Sequence, residues 1–172
     1  MSKFKTDRLR MDELTLADAP FIVTLLNDPS YVAHIGDRGI RTVEQAQHYL
    51  DDKIRASYRD HGFGLYAVRL ATGGEPIGIC GLVNRDSIPD VDIGYGFLPH
   101  ARGQGYALEA AEEILKWAHS TLGLTRLAAI VSQENRPSIA LLEKIGMQFD
   151  AMIQLPGDEE QICLYMWRSS EQ

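Results

Sequence analysis

Residues 92–107 read DIGYGFLPHARGQGYA, a strand-like stretch that runs through a glycine-rich turn into the start of a helix. Gly103 and Gly105 allow the backbone to take positive φ values and to approach a ligand closely. The first N–H groups of a helix have no partner inside the helix, and the helix dipole places partial positive charge there. Arg102 adds a full positive charge beside the turn. The segment therefore predicts an anion-binding turn, with an ordinary turn that binds nothing as the alternative.

Two common nucleotide-binding motifs are excluded. Leu108 stands where the dinucleotide fingerprint needs its third glycine, and the chain contains no Gly-x4-Gly-Lys-Ser/Thr phosphate loop.

The flanking sequence predicts a mixed sheet with helices. Before the glycine-rich turn we expect a strand (8–14), a short helix (18–26), a loop (27–41), an amphipathic helix (43–58) and a three-stranded antiparallel meander (64–70, 76–84, 90–98). After the turn we expect a helix (104–122), a strand (126–131), a second helix (137–145) and two strands (148–155, 161–168). The strand, helix and strand over 90–131 form a βαβ unit, which makes two neighbouring strands parallel. The fold class is therefore α/β with a mixed, mostly antiparallel sheet.

Length and composition indicate one globular domain over residues 1–172. The chain is 45% hydrophobic and 24% charged, and no shift in composition marks a domain boundary. A net charge of −7 argues against nucleic acid or an anionic membrane as a partner. No apolar stretch is long enough for a membrane span or resembles a signal peptide, so we expect a cytoplasmic protein. Cys80 and Cys163 lie in apolar runs and are predicted to be buried free thiols.

A second motif, NRPSIALLEKIGM, lies at 135–147. The glycine-rich turn is a weak signal by itself, but the two motifs together are specific. Together, Arg102-x-x-Gly105-x-Ala107 and Asn-x-x-Ser…Leu-Glu-Lys-Ile-Gly resemble the acetyl-CoA motif and the following helix of the GNAT N-acetyltransferases. The segments TDRL at 6–9 and TLADA at 15–19 are similar to the start of the RimJ/RimL branch, whose members acetylate protein N-termini and other amines.

The resemblance implies a GNAT fold, with helices on both faces of the sheet and a splayed parallel strand pair that admits the pantetheine arm of acetyl-CoA. The implied cofactor-binding residues are two on the strand, six on the turn and two on the following helix: Phe97, Leu98, Arg102, Gly103, Gln104, Gly105, Tyr106, Ala107, Asn135 and Ser138. Gly94 and Gly96 permit a β-bulge in that strand, or mark a close-packed point. Asn135 and Ser138 could also serve only as local caps of the helix.

Two side chains are candidates for the chemistry. An amine must be neutral to attack a thioester, and Asp92 occupies the position where many relatives of this branch carry a glutamate base. Its alternative is a solvated carboxylate at a strand end. The resemblance places Ser138 near the sulfur as the acid for the departing thiolate. Leu142 stands where many GNAT enzymes carry a general-acid tyrosine, which moves that role onto Ser138.

The acceptor is not determined by the sequence. The 27–41 loop is long and polar, and Tyr31, His34 and Arg38 are candidate substrate contacts. No histidine stands at a metal-ligand spacing, so no metal is expected. The resemblance predicts acetyl transfer from acetyl-CoA to a peptide N-terminus or a small amine by direct attack in a ternary complex, in a monomer or homodimer. The rivals are a non-catalytic acyl-CoA-binding or regulatory module of the same fold and a plain structural domain.

Overall fold

The computed structural model describes residues 2–170, in which eight strands form one sheet of order β1-β2-β3-β4-β5-β6-β8-β7. The strands are β1 Phe4–Lys5, β2 Leu9–Glu13, β3 Leu65–Leu70, β4 Gly78–Val83, β5 Asp92–Phe97, β6 Arg126–Val131, β7 Gln148–Ile153 and β8 Ile162–Arg168. All pairs are antiparallel except β5 with β6. The predicted mixed α/β class and the parallel pair are confirmed.

Six α-helices accompany the sheet: α1 Ala19–Leu26, α2 Pro29–His34, α3 Val43–Tyr49, α4 Ala56–His61, α5 Tyr106–Ser120 and α6 Arg136–Lys144. The predicted continuous helix over 43–58 is interrupted, because a π-helical turn, Leu50–Arg55, separates α3 from α4. Thr42 caps α3, with Gln45 completing the predicted capping box. No helix within residues 2–170 combines the length and apolar character that a membrane span requires.

The 27–41 segment is not the loop that the sequence predicted. It contains helix α2, with Asp28 as its N-cap and Pro29 at the first helical position. The Asp28 carboxylate accepts a hydrogen bond from the Tyr31 N–H at 3.1 Å. The signal was present in the sequence as Asp-Pro, but a six-residue helix is too short to show a hydrophobic period.

Both faces of the sheet are covered. On one face, α5 buries Ala111, Ile114 and Ala118 against a core that includes Tyr66 and Leu82. The opposite face packs the 14–54 segment onto the sheet, with Ile22, Leu25, Ala46 and Leu50 over the β3 and β4 residues Ala67 and Ile79. Alternation along β3 and β4 therefore assigns successive side chains to two separate cores.

The parallel pair separates almost as soon as it forms. A six-residue register joins β4 to β5, whereas β5 and β6 are in register only at Asp92 and Ala128. On its other edge β6 pairs with β8 over its whole length, from Arg126 to Val131. The gap between β5 and β6, called the split below, leaves one edge of β5 without a partner strand in the middle of the sheet.

Close backbone approach makes Gly81 structurally irreplaceable. A Cβ at this position would lie 2.0 Å from the Gly64 carbonyl oxygen, whereas a Cβ at Gly94 would meet its nearest atom at 3.7 Å. We expect Gly81→Ala to lower the free energy of unfolding by about 2 kcal/mol or more, because β3 and β4 must move apart. Gly94→Ala, the matched control on the neighbouring strand, should change it by less than about 1 kcal/mol. Urea denaturation measures both, and equal losses would contradict this interpretation.

Candidate functional site

The glycine-rich turn forms one wall of a cavity of about 370 Å³, called the loop cavity, which reaches from α2 to α6. Gly103 and Gly105 have φ values of +75° and +83°, as the sequence predicted, and Gly105 caps α5 without any side-chain cap. Within residues 2–170, the backbone N–H groups of 103–108 have no hydrogen-bond acceptor. The turn therefore offers a run of unused donors at the positive end of a helix dipole.

Arg8 adds a cation to this turn that sequence reasoning missed. Its guanidinium donates to the Gln104 carbonyl at 2.8 Å and lies 4.6 Å from the centre of the Tyr106 ring. Glu109 fixes it through an ion pair of 2.7 Å. The TDRL segment at 6–9 was the only feature of the sequence that drew attention to Arg8. Its contact with Gln104 could not be predicted, because it depends on the pairing of β2 with the rest of the sheet.

Arg102 was expected to add free positive charge to the turn. Its guanidinium instead forms an ion pair with Asp28 and donates through Nε to the Phe97 carbonyl at 3.0 Å. The Asp28 carboxylate is buried and also caps α2. Arg102 therefore connects the turn to α2, and its charge is offset within the protein.

The exposed edge of β5 differs from the prediction at one position. The Leu98 N–H donates to the Ile77 carbonyl at 2.9 Å, so the backbone hydrogen-bonding groups of Leu98 point toward β4. Because these groups alternate along a strand, those of Tyr95 and Phe97 point toward the split. Leu98 does not line the loop cavity, whereas Phe97 does. The register of β5 with β4 is regular, so the glycines make no bulge there. Gly96 is instead a close-packed point, where an added Cβ would lie 3.1 Å from the Tyr31 ring.

A pair of hydroxyl groups crosses the split. The Tyr95 hydroxyl lies 2.5 Å from the Ser138 Oγ, so a residue of β5 contacts the first turn of α6. Asn135 caps α6 by accepting from the Ser138 N–H at 3.4 Å, which is the local role its position allowed. Burial raises the pKa of the Tyr95 phenol to about 12, against the opposing effect of its bond to Ser138. Tyr95 therefore stays protonated at neutral pH.

Asp92 is buried rather than solvated. Its side chain is 1% exposed, and its Oδ2 accepts from Arg85 Nε at 3.2 Å. Oδ1 is buried without a hydrogen-bond partner among the described residues. Burial raises the pKa of the Asp92 carboxyl to about 6, although the Arg85 guanidinium acts to lower it. The group is therefore largely ionised at neutral pH and can still take up a proton.

A second cavity of about 170 Å³, called the split cavity, joins these groups on the other side of the hydroxyl pair. Asp92 lines the split cavity but not the loop cavity. Both cavities are lined by Tyr31, His34, Tyr95, Asn135 and Ser138. Of the predicted substrate contacts, Arg38 lines the split cavity but not the loop cavity. Gln104 and Leu98 line neither cavity, and the Gln104 amide bonds to the His100 carbonyl instead.

The other expectations concern cysteines and metals. Cys80 and Cys163 are buried free thiols, as predicted. Burial raises the pKa of the Cys80 thiol to about 12, which leaves it without thiolate character. Among residues 2–170, no cluster of three or more histidine, cysteine or acidic side chains has the arrangement of a metal site.

The family is established by comparison with known proteins. Residues 8–148 match the model of the acetyltransferase (GNAT) domain, and the chain belongs to this family. It is an acetyl-CoA-dependent acetyltransferase.

Several relatives share most of their length with this chain. The uncharacterized protein YkkB of Bacillus subtilis is 29% identical over 155 residues, which cover 88% of each chain. The crystal structure of an acetyltransferase from Agrobacterium tumefaciens superposes with a TM-score of 0.82 at 28% identity, over 96% of this chain and 94% of that one. Spermidine N-acetyltransferase from Vibrio cholerae, solved with CoA and spermine, shows the same fold at 17% identity with a TM-score of 0.79, over 96% and 98%.

The buried carboxylate predicts a pH-dependent stability. The pKa of Asp92 is about 6 in the folded protein and about 4 in the unfolded chain, so between these pH values the folded state holds a proton that the unfolded state has released. The contribution of Asp92 to the free energy of unfolding therefore falls as pH rises from about 4 to 6, by as much as about 3 kcal/mol.

Asp92→Asn removes this titration. The difference in unfolding free energy, wild type minus Asp92→Asn, should fall through this window and be constant above it. Urea denaturation at half-unit pH steps measures the difference. Asp90→Asn, the same change at a partly exposed carboxylate that pairs with Arg126, is the control variant. A flat difference for Asp92→Asn would show that the carboxyl titrates alike in both states.

Proposed function

We propose that this protein transfers the acetyl group of acetyl-CoA to a primary amine held in the split cavity. The observation that carries the proposal is the meeting of two cavities at the Tyr95–Ser138 hydroxyl pair. One cavity ends at unused helix-start amides, and the other contains a buried carboxylate with a free oxygen. This arrangement provides separate places for a pyrophosphate and for an amine.

The residues of the loop cavity fit coenzyme A. The unused N–H groups of 103–108, with Arg8 beside them, suit a pyrophosphate. The backbone groups of Tyr95 and the N–H of Phe97 on the open edge of β5 suit an amide-bearing arm by strand addition, while the Phe97 carbonyl is bonded to Arg102. When bound, acetyl-CoA supplies an activated acetyl carbon and a thiolate leaving group. In the solved relative from Vibrio cholerae, CoA is bound by the same fold.

Asp92 is the base in this proposal. Its carboxylate lines the split cavity and takes the proton that the amine must lose, directly or through a water. Because the pKa of Asp92 is about 6, the carboxylate is available at neutral pH and is basic enough to hold the proton. Arg85 keeps the buried group ionised and fixes its orientation.

Ser138 and Tyr95 stabilise the departing thiolate. Ser138 donates toward the sulfur, while the Tyr95 hydroxyl donates to Ser138 and completes a short chain of donors. Leu142 is buried at the position where many members of the family carry a tyrosine that acts as the general acid. Tyr95 thus supplies a phenol to the same region from β5 instead of α6.

The proposal includes the RimJ/RimL-like branch, on the strength of the TDRL and TLADA segments. Arg8 of the first segment donates to the Gln104 carbonyl in the glycine-rich turn. In the second segment the Asp18 carboxylate accepts a hydrogen bond from the Thr15 N–H at 2.9 Å. A peptide N-terminus and a small amine both remain within this class of acceptor.

Acetyl-CoA-dependent thiol release tests the roles. We expect turnover with at least one of a panel of peptide α-amines, lysine peptides, amino acids, polyamines and aminoglycosides. Asp92→Asn should lower kcat/KM by about 100-fold at pH 7 and remove the limb with an apparent pKa of about 6 from its pH profile. Asp90→Asn should keep wild-type activity. Undiminished activity of Asp92→Asn would contradict the assignment, and CoA binding without turnover on any acceptor would support a non-catalytic module.

The hydroxyl pair predicts strong non-additivity. Ser138→Ala and Tyr95→Phe should each lower kcat by about 10- to 100-fold, and the double variant should be hardly worse than the poorer single variant, because the two groups act in series. If the fold-losses in kcat of the two single variants multiply in the double variant, Tyr95 does not act through Ser138.

The turn predicts a selective loss of CoA affinity. A residue other than glycine at φ +83° is strained, and a Cβ at Gly105 would also lie 3.2 Å from the Arg8 guanidinium. We expect Gly105→Ala to raise the Kd for CoA about 10-fold or more in calorimetry. Gly123→Ala is the matched control, since Gly123 has φ +71° just beyond the other end of α5. If Gly105→Ala and Gly123→Ala bind CoA with the same Kd, the turn does not contribute to CoA binding.

A further inference from the structure

Two arginines stand at the far end of the split cavity. Arg38 and Arg85 line both the split cavity and a more open groove of about 840 Å³, called the outer groove, between the 37–64 segment and β4. Neither lines the loop cavity. The two guanidinium groups therefore lie on the side of the split cavity that is opposite to the cofactor-binding turn.

The positive charge of this pair is only partly offset. Arg85 contacts Asp92 through Nε, and its two terminal nitrogens have no hydrogen-bond partner among the described residues. Arg38 forms no ion pair with any carboxylate in residues 2–170. Its guanidinium hydrogen-bonds to the Tyr31 side chain and lies 5.8 Å from the centre of the Tyr49 ring. Burial raises the pKa of Tyr49, so its phenol is neutral and supplies no negative charge.

The surrounding charges set the polarity of the cavity. His34 and the exposed Asp158 also line the split cavity. In the outer groove, Asp37 is paired with Arg41, while Asp52, Asp60 and Asp86 stand with Lys53 and His61. A cationic chain would find carboxylates in the groove, but with its amine at Asp92 its second cation would share the split cavity with both arginines.

We infer that the acceptor is a small amine that also carries an anionic oxygen group, a carboxylate or a phosphate. Its amine lies at Asp92, and its anionic group is held by Arg38 and by the terminal nitrogens of Arg85. Guanidinium groups bind such oxygens through paired N–H donors. The split cavity has the volume of about five or six water molecules, which fits an amino acid or a similar small molecule. This inference rests on the proposed function and narrows its acceptor.

Matched acceptors test the charge requirement. The pairs are 4-aminobutyrate with 1,4-diaminobutane, alanine with alaninamide, and phosphoethanolamine with ethanolamine, compared at equal concentrations of free amine. The anionic member of a pair should have the higher kcat/KM by at least about 10-fold, and the pair that shows it distinguishes carboxylate from phosphate. A preference for the cationic or neutral member in all three pairs would overturn the inference.

Arg38 is the residue to vary, because Arg85 also holds Asp92. Arg38→Ala should lower kcat/KM for the anionic acceptor about 10- to 100-fold and leave its neutral partner within about 3-fold, and Arg38→Glu should reverse the preference within a pair. Arg55→Ala, a change at an exposed arginine that is paired with Asp51 and lines none of the three cavities, is the control and should behave as wild type. Equal losses on both members of a pair would overturn the assignment of Arg38.

Binding separates this inference from the proposed function. Calorimetry on the CoA-loaded protein should show tighter binding of the anionic acceptors than of their partners, and weaker binding after Arg38→Ala. If these acceptors bind in this way but none is acetylated, the inference stands and the catalytic proposal fails. If thiol release occurs only with neutral amines or polyamines, the catalytic proposal stands and the inference fails.

Discussion

The early end of the β5–β6 ladder is the constraint on which the candidate site depends. One register position, Asp92 with Ala128, joins these strands, while the other edge of β6 is paired with β8 throughout. An unpaired strand edge is usually found at the border of a sheet, where solvent satisfies it. Here it lies in the middle of the sheet, so the backbone groups of Tyr95 and Phe97 are directed into a cavity. Both cavities and the hydroxyl pair exist because the sheet opens at this point.

The same opening explains why polar groups are buried here. Asp92 stands at the single position where β5 pairs with β6, and it is 1% exposed. A buried carboxylate is costly at neutral pH. Arg85 offsets part of that cost, but Oδ1 is left without a partner among the described residues. An unsatisfied buried oxygen is an unfavourable feature in a purely structural domain, which is why it supports a chemical role.

A chain of contacts connects helix α2 with the glycine-rich turn. Asp28 caps α2 and holds Arg102, while Arg102 also bonds to the Phe97 carbonyl at the split. Helix α2 places Tyr31 against Gly96, where the absence of a side chain makes room for the ring. The position of α2, and with it the wall shared by the two cavities, is thus set by the residues of the turn.

The sequence by itself determined the order of elements apart from β1, α2 and the π-helical turn, together with the parallel pair and the conformation of the glycine-rich turn, because hydrophobic period, glycines and helix caps are local signals. Gly103 and Gly105 have the predicted positive φ values, and Asn135 caps α6. Only the tertiary structure decided which distant groups meet. Arg8 at Gln104, Arg102 at Asp28 and Tyr95 at Ser138 join residues 43 to 96 positions apart, and no local pattern encodes such contacts. They follow from where the sheet places its strands and where it splits.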